Sequence, residues 1–201
     1  MAPEALQRDL LQLLFDNLQR SMQAVVIVAT GLAAGLWSHA GKGALIGWWT
    51  LVVLIALARI RQGHRWRRRP DYRPPHLWQR SFRWGALAMA FAWSATVPLF
   101  MWNAAPTQQL FIAFVLAGIT AGAIPSLAVD LRLVLFYPYA LMLPVALVLL
   151  VRTGGVGPAM GALILVYLVM ITSVALDYHR ALRGSIADRY ALAEKERETR
   201  R

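Results

Sequence analysis

The stretch Leu133–Val151, LVLFYPYALMLPVALVLLV, contains no charged residue and lies between Arg132 and Arg152. A helix of about 20 apolar residues spans the hydrocarbon core of a bilayer. Since no backbone N–H or C=O group can stay unpaired in lipid, such a run must be helical. The stretch therefore predicts a transmembrane helix.

The same criterion, applied outward along the chain, predicts six spans. They are Met22–Ser38, Ala44–Ala58, Trp84–Trp102, Gln109–Val129, Leu133–Val151 and Pro158–Tyr178. Hydrophobic residues make up 58% of the 201 residues, charged residues 15%, and the mean hydropathy is +0.49. A soluble domain has about 45–50% apolar and about 25% charged residues. The composition excludes a disordered chain and an ordinary soluble domain, and we expect an all-α integral membrane protein with six transmembrane helices.

The basic residues predict the direction of insertion. With a cytoplasmic N-terminus, only Lys42 and Arg152 of the 21 Lys and Arg residues fall on the outer side. Cytoplasmic loops carry the excess of Lys and Arg. We therefore expect a multi-pass membrane protein with both termini in the cytoplasm.

Three regions follow from this topology. Residues 1–21 form an amphipathic interfacial helix, because leucines from Leu6 to Leu14 recur at helical spacing. It either lies on the inner leaflet or contacts a cytoplasmic output helix. Residues 22–178 form the six-helix transmembrane domain, and residues 179–201 form a cytoplasmic, coiled-coil-like signalling helix.

The net charge of +11 is concentrated in the second loop, from Arg59 to Arg80. Basic clusters beside a membrane attract anionic headgroups. We expect lipid headgroup contacts there from Arg65, Arg67, Arg68 and Arg69. Nucleic-acid binding is disfavoured, because the loop is held at the bilayer and has no nucleic-acid-binding fold.

Small residues and prolines within the spans suggest how the helices pack. Gly118 and Gly122 form a small-xxx-small pair that permits close helix packing. Prolines within the spans tend to kink helices and open spaces between them. The side chains that could line a ligand pocket there are Trp93, Ser94, Thr96, Thr120, Ser126, Tyr137 and Tyr139. Plain bundle packing is the simpler interpretation.

Catalysis has little support in the sequence. Cysteine is absent, the four histidines lie at loops or helix ends, and no span carries a charge near its centre. Proton and ion routes need such intramembrane charges. We expect no catalytic residues, no metal and no cofactor.

The last span continues into the tail without a Gly-Pro break. Tyr178, Leu182 and Ile186 lie on or near one apolar stripe, followed by good helix formers of mixed charge. This pattern favours a helix that transmits a signal and pairs with a second copy of the chain. A solvated helix end is the alternative.

Several stretches together resemble a known architecture. They are the amphipathic start EALQRDLLQLLF (residues 4–15), the Arg-rich second loop, WQRSFRWGA (78–86), FIAFVLAGITAGA (111–123), the FYP and LP pair at 136–144, and the tail from Tyr178. The chain resembles the N-terminal six-helix membrane (sensor) region of bacterial signalling proteins with GGDEF, EAL or hybrid histidine kinase outputs. The resemblance implies that this region lies in the bacterial inner (cytoplasmic) membrane and senses or anchors there, while catalysis belongs to a downstream domain. No GGDEF, EAL-phosphodiesterase, kinase or receiver signature occurs here, since the letters EAL at residues 4–6 belong to the amphipathic start.

Two functions therefore remain open. The first is a membrane-embedded sensory or anchoring module that signals through its sixth helix to a cytoplasmic output in cyclic di-GMP or phosphorelay signalling. Its partners would be membrane lipids, a second copy of the chain, and an output domain or partner protein. The alternative is a small stand-alone transporter or lipid- or ligand-binding membrane protein. It would need a path through the bilayer.

Overall fold

A computed structural model describes residues 12, 14, 15, 18–68, 74–151 and 155–199, with only the backbone at Arg183 and beyond Ser185. The helices in these ranges are α1 (Leu18–Leu36), α2 (Lys42–Arg68), α3 (Pro75–Ser94), α4 (Pro106–Leu127), α5 (Leu131–Val151) and α6 (Gly157–Thr199). A π-helical turn, Val97–Met101, extends α3. There Trp102 donates its N–H to the carbonyl of Val97, and Pro98 has no N–H to contribute.

The structure confirms an all-α membrane protein. In the described part of the chain, five helical segments are long and apolar enough to cross a membrane: Lys42–Arg68, Pro75–Met101, Pro106–Leu127, Leu131–Val151 and Gly157–Leu182. The remaining predicted span corresponds to α1, which has 19 residues. Its first turns contain Gln19, Arg20 and Gln23, so its apolar part is shorter than the roughly 20 residues of a typical span.

The predicted second loop is wrong in its extent. The prediction ended the second span at Ala58, but α2 continues to Arg68 and α3 begins at Pro75. Arg and Gln are good helix formers, and the first strong helix breaker after Ala58 is Pro70. Most of the arginines of this region therefore lie on helices.

Four aromatic rings pack together at the end of the bundle where α2 ends and α3 begins. Phe15 stacks on Trp66 with ring centroids 5.3 Å apart and meets Trp78 and Phe82 edge-on at 6.0 and 5.6 Å. Phe15 is fully buried. The described part of the predicted interfacial helix thus packs into the bundle, and residues 1–11 lie outside the described ranges.

In the opposite half of the bundle, the helices are joined by contacts of two tryptophans and by a close approach of two backbones. Trp48 donates its indole N–H to the carbonyl of Ala92 at 2.8 Å, and its ring meets Trp93 edge-on at 5.2 Å. At α5 and α6, a Cβ atom on Gly161 would lie 3.0 Å from the carbonyl oxygen of Ala146. Only glycine allows these two backbones to approach so closely.

Candidate functional site

The residues predicted to line a pocket do not form one site. Trp93 and Thr96 are buried inside the bundle, where the Thr96 hydroxyl donates to the carbonyl of Trp93 at 2.7 Å. Thr120 likewise donates to its own helix, at the carbonyl of Leu116. Tyr139 is 41% exposed, with its hydroxyl 3.2 Å from that of Thr172. Ser94 also lies apart from the cavity described next.

Ser126 and Tyr137 do share a cavity. It lies between α1 and α4, has a volume of about 430 Å³, and is called the α1–α4 cavity below. Its wall is mostly apolar, with Met22 and Val25 from α1 and Phe114 from α4. Cavities of this size and lining are typical of small-molecule sites, at about 300–1,000 Å³.

Gly118 and Gly122 line the same cavity. A Cβ atom added to either glycine would meet no atom within 4 Å. Both residues are exposed, as is Phe114, which is 79% exposed. In this single chain, the predicted helix-packing pair therefore leaves open space that faces the lipid side of the bundle.

Arg59 is the most unusual residue of this region. It is only 5% exposed, and its guanidinium carbon lies 4.7 Å from the centre of the Phe82 ring. Its stem fits against Gly85, where an added Cβ atom would lie 3.3 Å from Cγ of Arg59. Its Nε–H has no hydrogen-bond partner among the described residues. Burying a charge without a partner is unfavourable, so this side chain requires an explanation.

Arg59 was predicted to lie in the second loop, and its burial was not foreseen. The sequence nevertheless contained a signal, because the buried residues of α2 recur every three or four positions. They are Leu45, Trp48, Val52, Ala56, Arg59, Gly63 and Trp66. That spacing is typical of one helical face. Following it past Ala58 would have placed Arg59 on the buried face.

Other arginines line a second, open cavity between α2 and α3, with a volume of about 960 Å³. We call it the arginine groove. Arg61, Arg65 and Arg68 line it from α2, and Gln62 donates to the Ser81 hydroxyl across it at 2.8 Å. These three arginines are exposed, and Arg59 lines this groove as well as the α1–α4 cavity.

The four arginines predicted to contact headgroups thus differ in position. Arg65 and Arg68 lie in the arginine groove. Arg67 instead places its Nη2 atom 3.5 Å from the carbonyl oxygen of Phe15. Arg69 lies outside the described residues.

The turn between α4 and α5 is tied to two other helices. Asp130 forms an ion pair with Arg83 of α3 and accepts the backbone N–H of Arg132 at 3.2 Å, which caps α5. The ring of His179, on α6, donates from Nδ1 to the carbonyl of Ala128. His179 is 9% exposed. The predicted spans end at Val129 and resume at Leu133, which leaves Asp130 between them, but nothing in the sequence predicted either long-range contact.

Of the residues predicted to transmit a signal, Tyr178 comes directly before His179, and Leu182 and Ile186 follow it. Tyr178 is 44% exposed, and Leu182 is partly buried against the bundle. The side chain of Ile186 lies outside the described set. Among the described residues, no three His, Asp or Glu side chains are grouped to hold a metal ion.

Comparison with protein-family models, with curated proteins and with solved structures finds no match for this chain.

Proposed function

We propose that this chain is a membrane-embedded sensory or anchoring module that passes a change in its bundle through α6 to a cytoplasmic output. The observation that carries the proposal is the continuity of α6, a single helix of 43 residues. At 1.5 Å per residue it is about 65 Å long, roughly twice the thickness of the hydrocarbon core. A helix of that length extends well beyond the membrane.

The contact at His179 supports the same proposal. It joins α6 to the α4–α5 turn close to the end of its apolar part at Leu182. The same turn is joined to α3 through Asp130 and Arg83. A shift of α3 or of the turn would therefore reach α6 where the helix leaves the bundle.

The remaining parts of the proposal concern orientation and partners. The positive-inside asymmetry supports cytoplasmic termini, and the sequence resemblance implies the bacterial inner membrane. The apolar stripe at Leu182 and Ile186 supports pairing of two copies through α6. The output would be an attached domain or a partner protein of cyclic di-GMP or phosphorelay signalling, as the sequence resemblance implies.

Single-cysteine variants test these points without background, because the chain has no cysteine. In isolated membranes treated with a copper–phenanthroline oxidant, Leu182→Cys and Ile186→Cys should form disulfide-linked dimers, whereas Ser185→Cys, off the stripe, should do so much more slowly. Impermeant thiol reagents should label Lys42→Cys from the outside and Thr199→Cys only after the cytoplasmic side is opened. Exclusively monomeric chains would contradict pairing, and labelling of Thr199→Cys from outside would contradict the orientation.

Transmission is tested by loosening α6 from the turn. A lost hydrogen bond of about 1 kcal/mol changes the equilibrium between docked and released α6 about fivefold. We expect His179→Ala to change the crosslinking rate at Ile186→Cys, while Arg180→Ala, at an exposed neighbouring position, leaves it unchanged. Equal crosslinking rates in both variants would contradict transmission through the contact at His179.

A second candidate function, a lipid- or ligand-binding membrane protein, is favoured by the α1–α4 cavity. Substrate-dependent flux in liposomes would extend that candidate to a transporter. Both functions can coexist, since ligand binding is the input that a sensor requires.

A further inference from the structure

We propose that the α1–α4 cavity binds an amphiphile with an anionic headgroup, which forms an ion pair with Arg59. This inference concerns binding alone and holds whether or not α6 transmits a signal. It rests on the charge of Arg59, on the polar groups beside it, and on the shape of the cavity.

The charge of Arg59 favours an anionic ligand. A guanidinium remains protonated in proteins and has five N–H donors, which match a carboxylate or a phosphate. Arg59 is 5% exposed, its Nε–H is unpartnered, and no acidic side chain among the described residues pairs with it. The ring of Phe82 offsets only part of the desolvation of this cation. An anionic ligand would supply the missing partner.

The remaining polar groups of the cavity are few and are neutral. The hydroxyls of Ser21 and Ser126 are 3.2 Å apart on facing helices, and the ring of Tyr137 completes this part of the wall. These groups can donate to an oxygen-rich headgroup without repelling its charge. A Cβ atom on Gly63 would lie 3.5 Å from Leu18. Arg59, one turn away on α2, and Ser21, about one turn away on α1, therefore lie at the same level of the cavity.

The rest of the cavity suits an apolar tail. Met22, Val25 and Val28 line it from α1, and Phe114 and Gly118 line it from α4. The open space beside Gly118 and the exposure of Phe114 give the cavity an opening toward the hydrocarbon of the bilayer. A water-soluble anion would gain nothing from this apolar wall, whereas a fatty acid or an anionic phospholipid would bury its chain there.

The two sources share one chemistry and are separated by photolabelling. The purified chain in uncharged maltoside micelles is labelled with palmitate or with phosphatidylglycerol, each with a diazirine in its acyl chain. Hexadecanol and diacylglycerol with the same diazirine are the neutral counterparts. Labelled peptides are mapped by mass spectrometry, and inorganic phosphate is added as a competitor.

We expect at least one anionic probe to label the facing segments of α1 and α4, and the probe that labels identifies the source. Loss of a charge-assisted ion pair should lower this labelling about tenfold in Arg59→Met. The matched control Arg61→Met, an exposed arginine on the same helix, should label as the unaltered chain does.

A second variant leaves Arg59 in place. Gly118→Leu fills the open space of the cavity and should abolish labelling, whereas Gly31→Leu, at an exposed helical glycine away from the cavity, should not. The proposal is overturned if neither anionic probe labels this seam, if the neutral counterparts label it equally, or if either cavity variant labels normally. Displacement by inorganic phosphate would also overturn it, since the site would then take a free anion.

Discussion

Arg83 and Asp130 form an ion pair whose two members differ in their access to solvent, and the effects of replacing them should differ accordingly. The side chain of Asp130 is 3% exposed, whereas that of Arg83 is 39% exposed. In Arg83→Met the carboxylate stays buried, with the backbone N–H of Arg132 and a long contact of 3.5 Å from Gln79 as its remaining partners. In Asp130→Asn the freed guanidinium can turn to water, and the amide oxygen can still cap α5.

The expected magnitudes follow from this difference. Removing one partner of a buried pair costs about 3–5 kcal/mol, because an uncompensated charge remains. We expect the lower end, about 3 kcal/mol, for Arg83→Met, since Asp130 keeps one good donor. Asp130→Asn leaves Arg83 unpaired, but Arg83 reaches solvent, so this substitution should cost only about 1 kcal/mol. The double variant has no buried charge and should resemble Asp130→Asn.

Thermal unfolding in detergent, followed by tryptophan fluorescence, measures these differences. At about 2–4 °C per kcal/mol for a chain of this size, Arg83→Met should lower Tm by about 6–12 °C and Asp130→Asn by about 2–4 °C. Arg180→Met, which breaks the exposed pair with Asp177, is the matched control and should change Tm by about 1 °C. If Arg83→Met is no less stable than Asp130→Asn, the buried carboxylate does not depend on Arg83 and the reasoning fails.

Three further substitutions and one control, Gly31→Leu, test other contacts by SDS titration of unfolding. Gly161→Leu should lower the free energy of unfolding by about 1–3 kcal/mol, because its Cβ atom meets the backbone of α5. Gly31→Leu has open space around it and should raise the free energy of unfolding by up to about 1 kcal/mol. Equal midpoints for the two would contradict the close helix contact. Trp48→Phe should cost about 1 kcal/mol through the lost hydrogen bond to Ala92, and an unchanged midpoint would contradict that bond. Arg59→Met should be neutral or stabilising by about 1 kcal/mol, since it removes a buried charge that has no ion-pair partner. Clear destabilisation would contradict the burial of an unpaired charge at this position.

The sequence predicted the membrane class and most helices, because an apolar run that spans the membrane must be as long as the hydrocarbon core is thick. The fifth span was expected at Leu133–Val151 and the helix is Leu131–Val151. The end of α2 was missed for a physical reason: hydropathy marks where the lipid ends, whereas the helix ends only at a breaker. The arginines after Ala58 are polar yet good helix formers, so the two boundaries differ.

The candidate site was less predictable, since it depends on which helices meet. Small residues such as Gly118 allow either close packing or open space, and only the neighbouring helix decides between them. Arg83 and Asp130 are separated by 47 positions, and nothing local marks them as partners. The burial of Arg59, in contrast, follows from the helical spacing of α2.

The basic cluster from which the orientation was predicted thus contains three kinds of arginine. Arg65 and Arg68 are exposed and can serve topology and headgroup attraction. Arg83 is partly exposed and paired, which explains its position by stability alone. Arg59 satisfies neither explanation, because it is buried beside a ring and has no ion-pair partner among the described residues. A local arrangement that opposes stability is expected where function requires it, and an ionisable residue within a membrane helix is the strongest such case. The search for what this protein binds should therefore begin at Arg59 rather than at the more numerous arginines around it.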